Sequence, residues 1–274
     1  MRDLEKGFHN KQGYLERMAK PLQEKLRITE HISPNASEIL DVGCADGVVT
    51  KALALLFPHT SVHGIDLSDD FISKAKEEEE TIHNPPKFER VYLREMLARP
   101  ERFDTVLFTS VLHEFYHYGE GVTSILKALA DAHELLEPGG KIVIRDMILP
   151  ERMKESTMPA MGIIQKVRAV PEMEPLLRDF EAAHGPMESL YSVNHFLLKY
   201  MYTDNWEREC PENYVPVTRE EYEELFKCMR TELIHHETYL IPYLREKWRT
   251  DFGLTDNELS ELFSTTIFAV QKSV

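Results

Sequence analysis

An α/β fold built on a doubly wound, mostly parallel sheet is what this sequence predicts, and three observations predict it. Residues 38–47, Glu-Ile-Leu-Asp-Val-Gly-Cys-Ala-Asp-Gly, run from an apolar strand (Ile39, Leu40, Val42) into a tight loop of small residues (Gly43, Ala45, Gly47), and a helix-like run from Val48 to Leu56 follows at once. Short apolar strands then alternate with helices as far as residue 148, which argues for a parallel sheet with helices on both faces. From 149 to 217 the strand pattern stops, and a regular pattern returns at Thr218.

The elements follow in order. Residues 1–37 read as mostly helical, with Tyr14, Met18, Leu22 and Leu26 near helical spacing, until Ser33-Pro34-Asn35 breaks the chain. After the first strand and its helix, His63 to Ser68 reads as a second strand with Asp66 at its tip. The run Glu77–Glu80 ends the next helix as a solvated face whose acids oppose the helix dipole. A third strand is expected at Phe88 to Leu93 and a fourth at Phe103 to Ser110, with Leu112-His113-Glu114 behind it. Leu135 to Ile144 reads as a helix end, a Pro-Gly-Gly turn and a fifth strand. The stretch 149–217, rich in methionine and aromatic residues, reads as a helical insertion, with Ser192–Tyr202 as an amphipathic helix. Thr218 is a plausible N-cap with Glu221 as its capping-box partner. A strand near Leu233–Leu240, a charged helical insertion at Pro242 to Phe263 and a last strand at Thr266 to Val270 complete the chain.

Composition bounds the function. The 274 residues are 42% hydrophobic, enough for a packed core. Asp and Glu number 47 against 32 Lys and Arg, a formal charge of −15. Such a field repels a nucleic-acid backbone, although a local basic patch remains compatible with it. Cys44, Cys210 and Cys228 show neither metal spacing nor a disulfide framework, which fits a reducing cytosol and a cytoplasmic protein. No apolar signal opens the chain and no run reaches membrane-spanning length, so no membrane is expected as a partner. No metal site is expected either: His235-His236 are adjacent and diverge on a strand, and His113 and His117 share a helical face without a third partner.

A strand that feeds a small-residue loop and a helix N-terminus cradles a nucleotide-like ligand. The three-glycine dinucleotide spacing is absent. Asp41, at the strand end, is a poor neighbour for a pyrophosphate and a good one for a cationic amine or sulfonium. The segments 38–47, 63–68, 103–114 and 135–144, in this order, resemble the motifs of the class I, Rossmann-like S-adenosylmethionine (SAM) methyltransferases. The resemblance covers roughly residues 38–148. It implies a seven-stranded sheet with an antiparallel last strand, SAM as cofactor and S-adenosylhomocysteine as product. It puts Asp41 and the loop residues Gly43, Cys44, Ala45 and Gly47 at the methionine end, and Asp66 with Leu67 at the ribose. A carboxylate offers two acceptor oxygens to a diol; the bland reading of Asp66 is a helix N-cap beside Ser68. Glu95 takes the place of a polar group near the adenine amine, though Leu93-Arg94-Glu95-Met96 departs from the family pattern. Phe108, Thr109 and Ser110 would floor the site below the sulfonium. The leader would pack over the cofactor mouth through Phe8, His9 and Tyr14, or simply dock on the sheet edge.

The resulting division is a helical cap at 1–37, a SAM-binding core at 38–148, a helical lid or substrate insertion at 149–217, and a segment 218–274 that completes the sheet and carries a small helical insertion at about 242–263.

Methyl transfer is an in-line displacement in which positioning supplies much of the rate, so no fixed catalytic constellation is demanded. An oxygen acceptor of high pKa needs a base. His113 is a candidate, or else a packing and capping group. Asp146, beside Arg145 at the end of the fifth strand, is a second candidate, or half of an internal ion pair. Phe115-Tyr116-His117-Tyr118 offers rings to a sulfonium or a substrate. In the insertion, His195, Lys199 and Tyr202 share one helical face, and Tyr191, Asn205, Trp206, Glu207, Glu209 and Tyr214 crowd nearby. They read as an acceptor pocket, with His195 as a third catalytic candidate, or as a packed lid. Acidity and aromatic content favour a small organic acceptor methylated at O, N or C, in a monomer or a homodimer. The alternatives are an RNA- or protein-directed SAM-dependent transferase and a non-catalytic SAM-binding regulator. The Asn-Pro-Pro-Tyr run of some nucleic-acid enzymes is absent, with Ser110-Val-Leu-His113 in its place.

Overall fold

The computed structural model describes residues 22–77 and 82–273. Phe8, His9, Tyr14, Met18 and Glu78 to Glu80 lie outside the described residues, and with them most of the expected leader. Seven strands form one sheet: β1 Glu38–Val42, β2 Ser61–Asp66, β3 Lys87–Arg90, β4 Phe103–Thr109, β5 Leu136–Asp146, β6 Thr231–Tyr239 and β7 Thr265–Lys272. Their order is β3-β2-β1-β4-β5-β7-β6. β7 is antiparallel to both of its neighbours, β5 and β6, so six strands share one direction and the last opposes them, as expected. The order reverses between β1 and β4, and in such a sheet the ligand crevice opens beyond the carboxyl ends of the strands at that point.

The central strands are apolar in succession because both of their faces are covered. Leu40, Val42, Val106, Phe108, Ile142 and Ile144 point to one face, against the helix Val122–Leu135 and the side chains of Tyr222 and Phe226. Ile39, Leu107, Val143 and Ile267 point to the other, with Ile28, Val49 and Leu53. The edge strand β6 has no buried residue, and Leu233 and Ile234 are exposed along it among its polar side chains. Expected boundaries move in two places: β3 stops at Arg90, so that Leu93 opens a helix instead of closing the strand, and β5 begins earlier than expected. Pro138-Gly139-Gly140 is not a turn ahead of β5 but an irregularity inside it, where Phe103 pairs with Leu136 while Thr105 pairs with Lys141.

We number the α-helices α1 Leu22–Lys25, α2 Val48–Leu56, α3 Asp69–Ala75, α4 Leu93–Met96, α5 Leu112–Tyr118, α6 Val122–Leu135, α7 Met158–Arg168, α8 Glu174–His184, α9 Leu190–Lys199, α10 Trp206–Glu209, α11 Arg219–Cys228, α12 Pro242–Phe252 and α13 Asp256–Leu259. Helices α7 to α9 have their own apolar core around Ile163, Phe180, Phe196 and Leu197, and Trp248, Phe252 and Leu259 pack into the same cluster. The segments 149–217 and 242–263 thus form one helical layer. Within it α9 departs from the expected amphipathic helix. Eight of its ten residues are buried, Asn194, His195 and Lys199 among them. Its polar groups are tolerated because each is partnered. The Asn194 amide donates to the Phe263 carbonyl (2.7 Å) and accepts from the Phe263 N–H (2.9 Å). Among the described residues no helix is long and apolar enough to cross a membrane.

Candidate functional site

The loop after β1 is held in an unusual backbone shape. Gly43 and Gly47 have φ of 73° and 77°, and a Cβ on Gly43 would stand 2.4 Å from Val111 Cγ2. Glycine is required there for conformation and for space. The N–H groups of Gly43 and Cys44 both donate to the Ile65 carbonyl (2.8 and 3.0 Å), which ties the loop to β2. Ala45 and Ser110, two of the three non-glycine residues with positive φ among the described residues, flank the same crevice.

Two cavities open beyond the strand ends. The first, about 680 Å³ with its mouth, is mostly apolar, lined by Gly43, Ile65, Asp66, Leu67, Val91, Leu93, Val111, Phe115 and Tyr118 among others. The second, about 850 Å³, is lined by Lys25, Ser110, His113, Arg145, Tyr202, Arg208, Glu209, Glu212 and Tyr214 among others. Glu114 lines both, so the cavities meet at its side chain.

Asp66 stands at the tip of β2 on the wall of the first cavity. Its Oδ2 accepts the Ala45 N–H and its Oδ1 the Ser68 N–H, both at 2.9 Å. A carboxylate oxygen can accept more than one hydrogen bond, which is the chemistry a ligand diol would call on. The helix cap next to it is Ser68, whose Oγ accepts the Phe71 N–H. The first cavity is thus an apolar slot with a carboxylate at its rim. Asp41 is on neither wall. It lies under the loop, 1% exposed, with the Thr50 hydroxyl donating to its Oδ2 (2.7 Å). Burial pushes its carboxyl up to about 6, against the Thr50 hydrogen bond and the Lys25 cation. Burial likewise raises the Cys44 thiol, and Cys44 packs with Ile72, Ala75 and Phe88. Glu95 is outside the site. Its carboxylate accepts the Tyr92 N–H (3.1 Å) as the box at the start of α4 and is exposed, because the chain turns into α4 directly after β3. Ser110 faces the second cavity rather than the first.

The three catalytic candidates separate. His113 is on the cavity wall, but it is not a free base. Burial would lower its pKa, yet Asp146, Glu212 and Glu114 around it hold it up at about 9, so it already carries the proton it was expected to take. Its Nδ1 lies 2.8 Å from Asp146 Oδ1, and its Nε2 lies 3.5 Å from Glu212 Oε1. Asp146 is buried behind it. Its Oδ2 accepts the Leu112 and His113 N–H groups and its Oδ1 also accepts the Met147 N–H, so it caps α5 and orients His113. His195 is beneath the cavity. Its Nε2 accepts the Tyr214 N–H (3.3 Å), its ring packs on Phe180 and His184, and burial with Lys199 nearby holds its pKa well below the usual value. It supports the 209–214 turn. Lys199, the other polar member of that face, donates to the carbonyls of Glu209, Cys210 and Glu212. Only Tyr202 of the expected trio reaches the wall, joined by Glu209 and Tyr214. Lys25, Arg208 and Glu212 were not foreseen. Lys25 comes from one end of the described residues and Arg208 and Glu212 from the stretch 208–212, so no local spacing brings the three together. Burial and the Glu212 carboxylate raise the Glu114 pKa to about 8.

Comparisons with known proteins agree with this geometry. A family profile described as "Methyltransferase domain" matches residues 40–142. The chain is 32% identical over 79 residues to a release factor glutamine methyltransferase from Aliivibrio fischeri, covering 28% of each protein. It is 29% identical over 119 residues to a mitochondrial ubiquinone biosynthesis O-methyltransferase from Candida albicans, covering 43% of this chain and 34% of that one. The chain therefore spans about a third or less of the length of these curated relatives. In three dimensions it resembles an O-methyltransferase family protein from Burkholderia thailandensis, with a TM-score of 0.56, 12% identity, and coverage of 95% of this chain and 58% of that chain.

Proposed function

Given that the chain belongs to the class I, Rossmann-like methyltransferase family through its residues 40–142, we propose that it moves the methyl group of SAM to a nucleophilic O, N or C atom of a small organic acceptor. The observation that carries this reading is the pair of cavities joined at Glu114, one apolar with an acid at its rim, the other polar and charged. Bound SAM would supply an electrophilic methyl group on a sulfonium. Asp66 would hold the ribose hydroxyls, and Val91, Leu93 and Leu67 would flank the adenine. Asp41 would act from beneath the loop as a buried negative charge near the methionine amine. Phe115 and Tyr118 line the first cavity close to the seam, where an aromatic face favours a sulfonium by about 0.5–2 kcal/mol. On the acceptor side, Arg145, Arg208 and Lys25 suit an anionic group, and Tyr202 and Tyr214 suit a ring. Residues 149–217 together with 242–263 act as the lid that walls this cavity and excludes water, and holding the acceptor in line is the main source of rate.

Two measurements test the reading. SAM and S-adenosylhomocysteine should each raise the melting temperature, by mass action. Labelled methyl from SAM, incubated with the protein and a cell extract, should enter a low-molecular-weight, nuclease-resistant fraction. Label found only in RNA or protein would replace the small acceptor with a macromolecule. Stabilisation by both ligands without any transfer would leave a SAM-binding regulator.

A further inference from the structure

We infer that His113, Glu114 and Glu212 form a binding site for one divalent first-row metal ion at the seam between the two cavities. One ligand atom from each side chain lies within 4.8 Å of the other two. The donors come from the first turn of α5 and from the 209–214 turn, nearly a hundred residues further along the chain, which is why no sequence spacing suggests a site.

Three features separate this grouping from a chance cluster of acids. The imidazole is arranged as metal-bound histidines are. Asp146 Oδ1 engages Nδ1 at 2.8 Å, which fixes the ring and directs Nε2 at Glu212 Oε1, 3.5 Å away. The second feature is an orphan acceptor. Glu212 is 2% exposed; the Tyr118 hydroxyl donates to its Oε2 (3.2 Å), while Oε1 accepts no hydrogen bond among the described residues. The cationic group beside it is the His113 ring at 3.5 Å, too long for a hydrogen bond; a metal ion that replaces the Nε2 proton, released to solvent, would bind both atoms directly and satisfy the buried oxygen. The third is rigidity. Lys199 under the turn and the contact from the Tyr214 N–H to His195 hold the backbone that presents Glu212. First ligands on a fixed frame are what a metal site needs.

One imidazole and two carboxylates suit Mn, Fe, Co or Zn better than calcium or magnesium, which take oxygen ligands. The ligand set leaves coordination positions toward the second cavity. In that respect the inference rests on the methyl-transfer reading: the ion would hold an acceptor oxygen at the seam and lower its pKa, a task for which His113 is no longer needed as a base.

The test uses the full chain, free of any affinity tag, titrated with Co²⁺ and followed by its visible ligand-field absorption. SAM binding is measured calorimetrically on the same sample. One equivalent of Co²⁺ should bind, and Zn²⁺ should displace it. Glu212→Gln and His113→Asn should abolish the band, and Asp146→Asn, a positioning change, should weaken binding about 10–100-fold. Should Glu212→Gln fail to fold, Glu114→Gln, at a less buried ligand, serves in its place. Intact SAM binding with no Co²⁺ uptake by the wild type, or equal uptake by the ligand variants, overturns the metal site and leaves the methyl-transfer reading standing. Stoichiometric Co²⁺ uptake without SAM binding supports the site and removes the methyltransferase reading instead.

Discussion

Asp41 holds a charge in a place that disfavours it. Its folded pKa of about 6 lies above the ordinary value of 3.8, so the unfolded chain gives up this proton more readily than the fold does. Its contribution to stability is full below pH 3.8 and is lost as pH rises through 6. Asp41→Asn, which keeps an acceptor for Thr50, should therefore stabilise the protein at pH 8 by about 1–3 kcal/mol, with little change at pH 4. Urea melts at the two pH values check this, and an equal effect at both would remove the electrostatic account. The same variant should bind SAM more weakly, which would make the buried charge a functional expense. Asp66→Ala should weaken SAM binding by about 10–100-fold, the range expected for lost hydrogen bonds to a charged group. It should leave the fold intact, as isothermal calorimetry and a thermal melt would show together. At this scale the sequence is legible where a residue's place follows from its own motif, as with the turn glycines Gly43 and Gly47 and with Asp66 at the tip of β2. It is silent at Glu212 and Lys25, because tertiary packing alone brings them to the wall.

Helix α9 shows the limit of periodicity. His195, Lys199 and Tyr202 do share a face, but that face points into protein. Two of the three hold the neighbouring turn and only the third reaches the cavity. A spacing rule finds the face and cannot say what covers it. Lys199→Met should destabilise the protein by about 2–4 kcal/mol, since three carbonyls lose a buried donor at once. If the turn is the element that Lys199 serves, acceptor KM should rise while SAM affinity stays unchanged. Parallel losses of both would place the damage in the whole fold instead. Capping was easier to foresee, because its signal is local. Thr218 and Glu221 form the box at the start of α11, where the Thr218 N–H and Oγ1 both donate to the Glu221 carboxylate. Thr218→Ala should cost about 1 kcal/mol in a denaturant melt.

The whole molecule has two kinds of interior: a sheet sandwiched between helices, and a helical layer with its own apolar core. The first was legible from alternation and turn residues. The second was foreseen only as helical, since its two segments lie apart in the chain and nothing local tells them to pack together. The apolar cavity belongs mainly to the sheet and the charged cavity to both. Saturating SAM at a hundredfold above its Kd should add about 2.7 kcal/mol to global stability. A variant weakened within the helical layer, such as Lys199→Met, should keep that increment, which calorimetry with and without SAM measures.

The placement of β7 has a further consequence. It lies between β5 and β6, yet it is made after both. While the nascent polypeptide emerges from the ribosome, β6 has no neighbour and β5 has one bare edge until residues 265–272 are threaded in. Closure of the sheet is therefore a late, non-local event in biogenesis, and a chaperone that shields open edges has its longest window of action over those two strands.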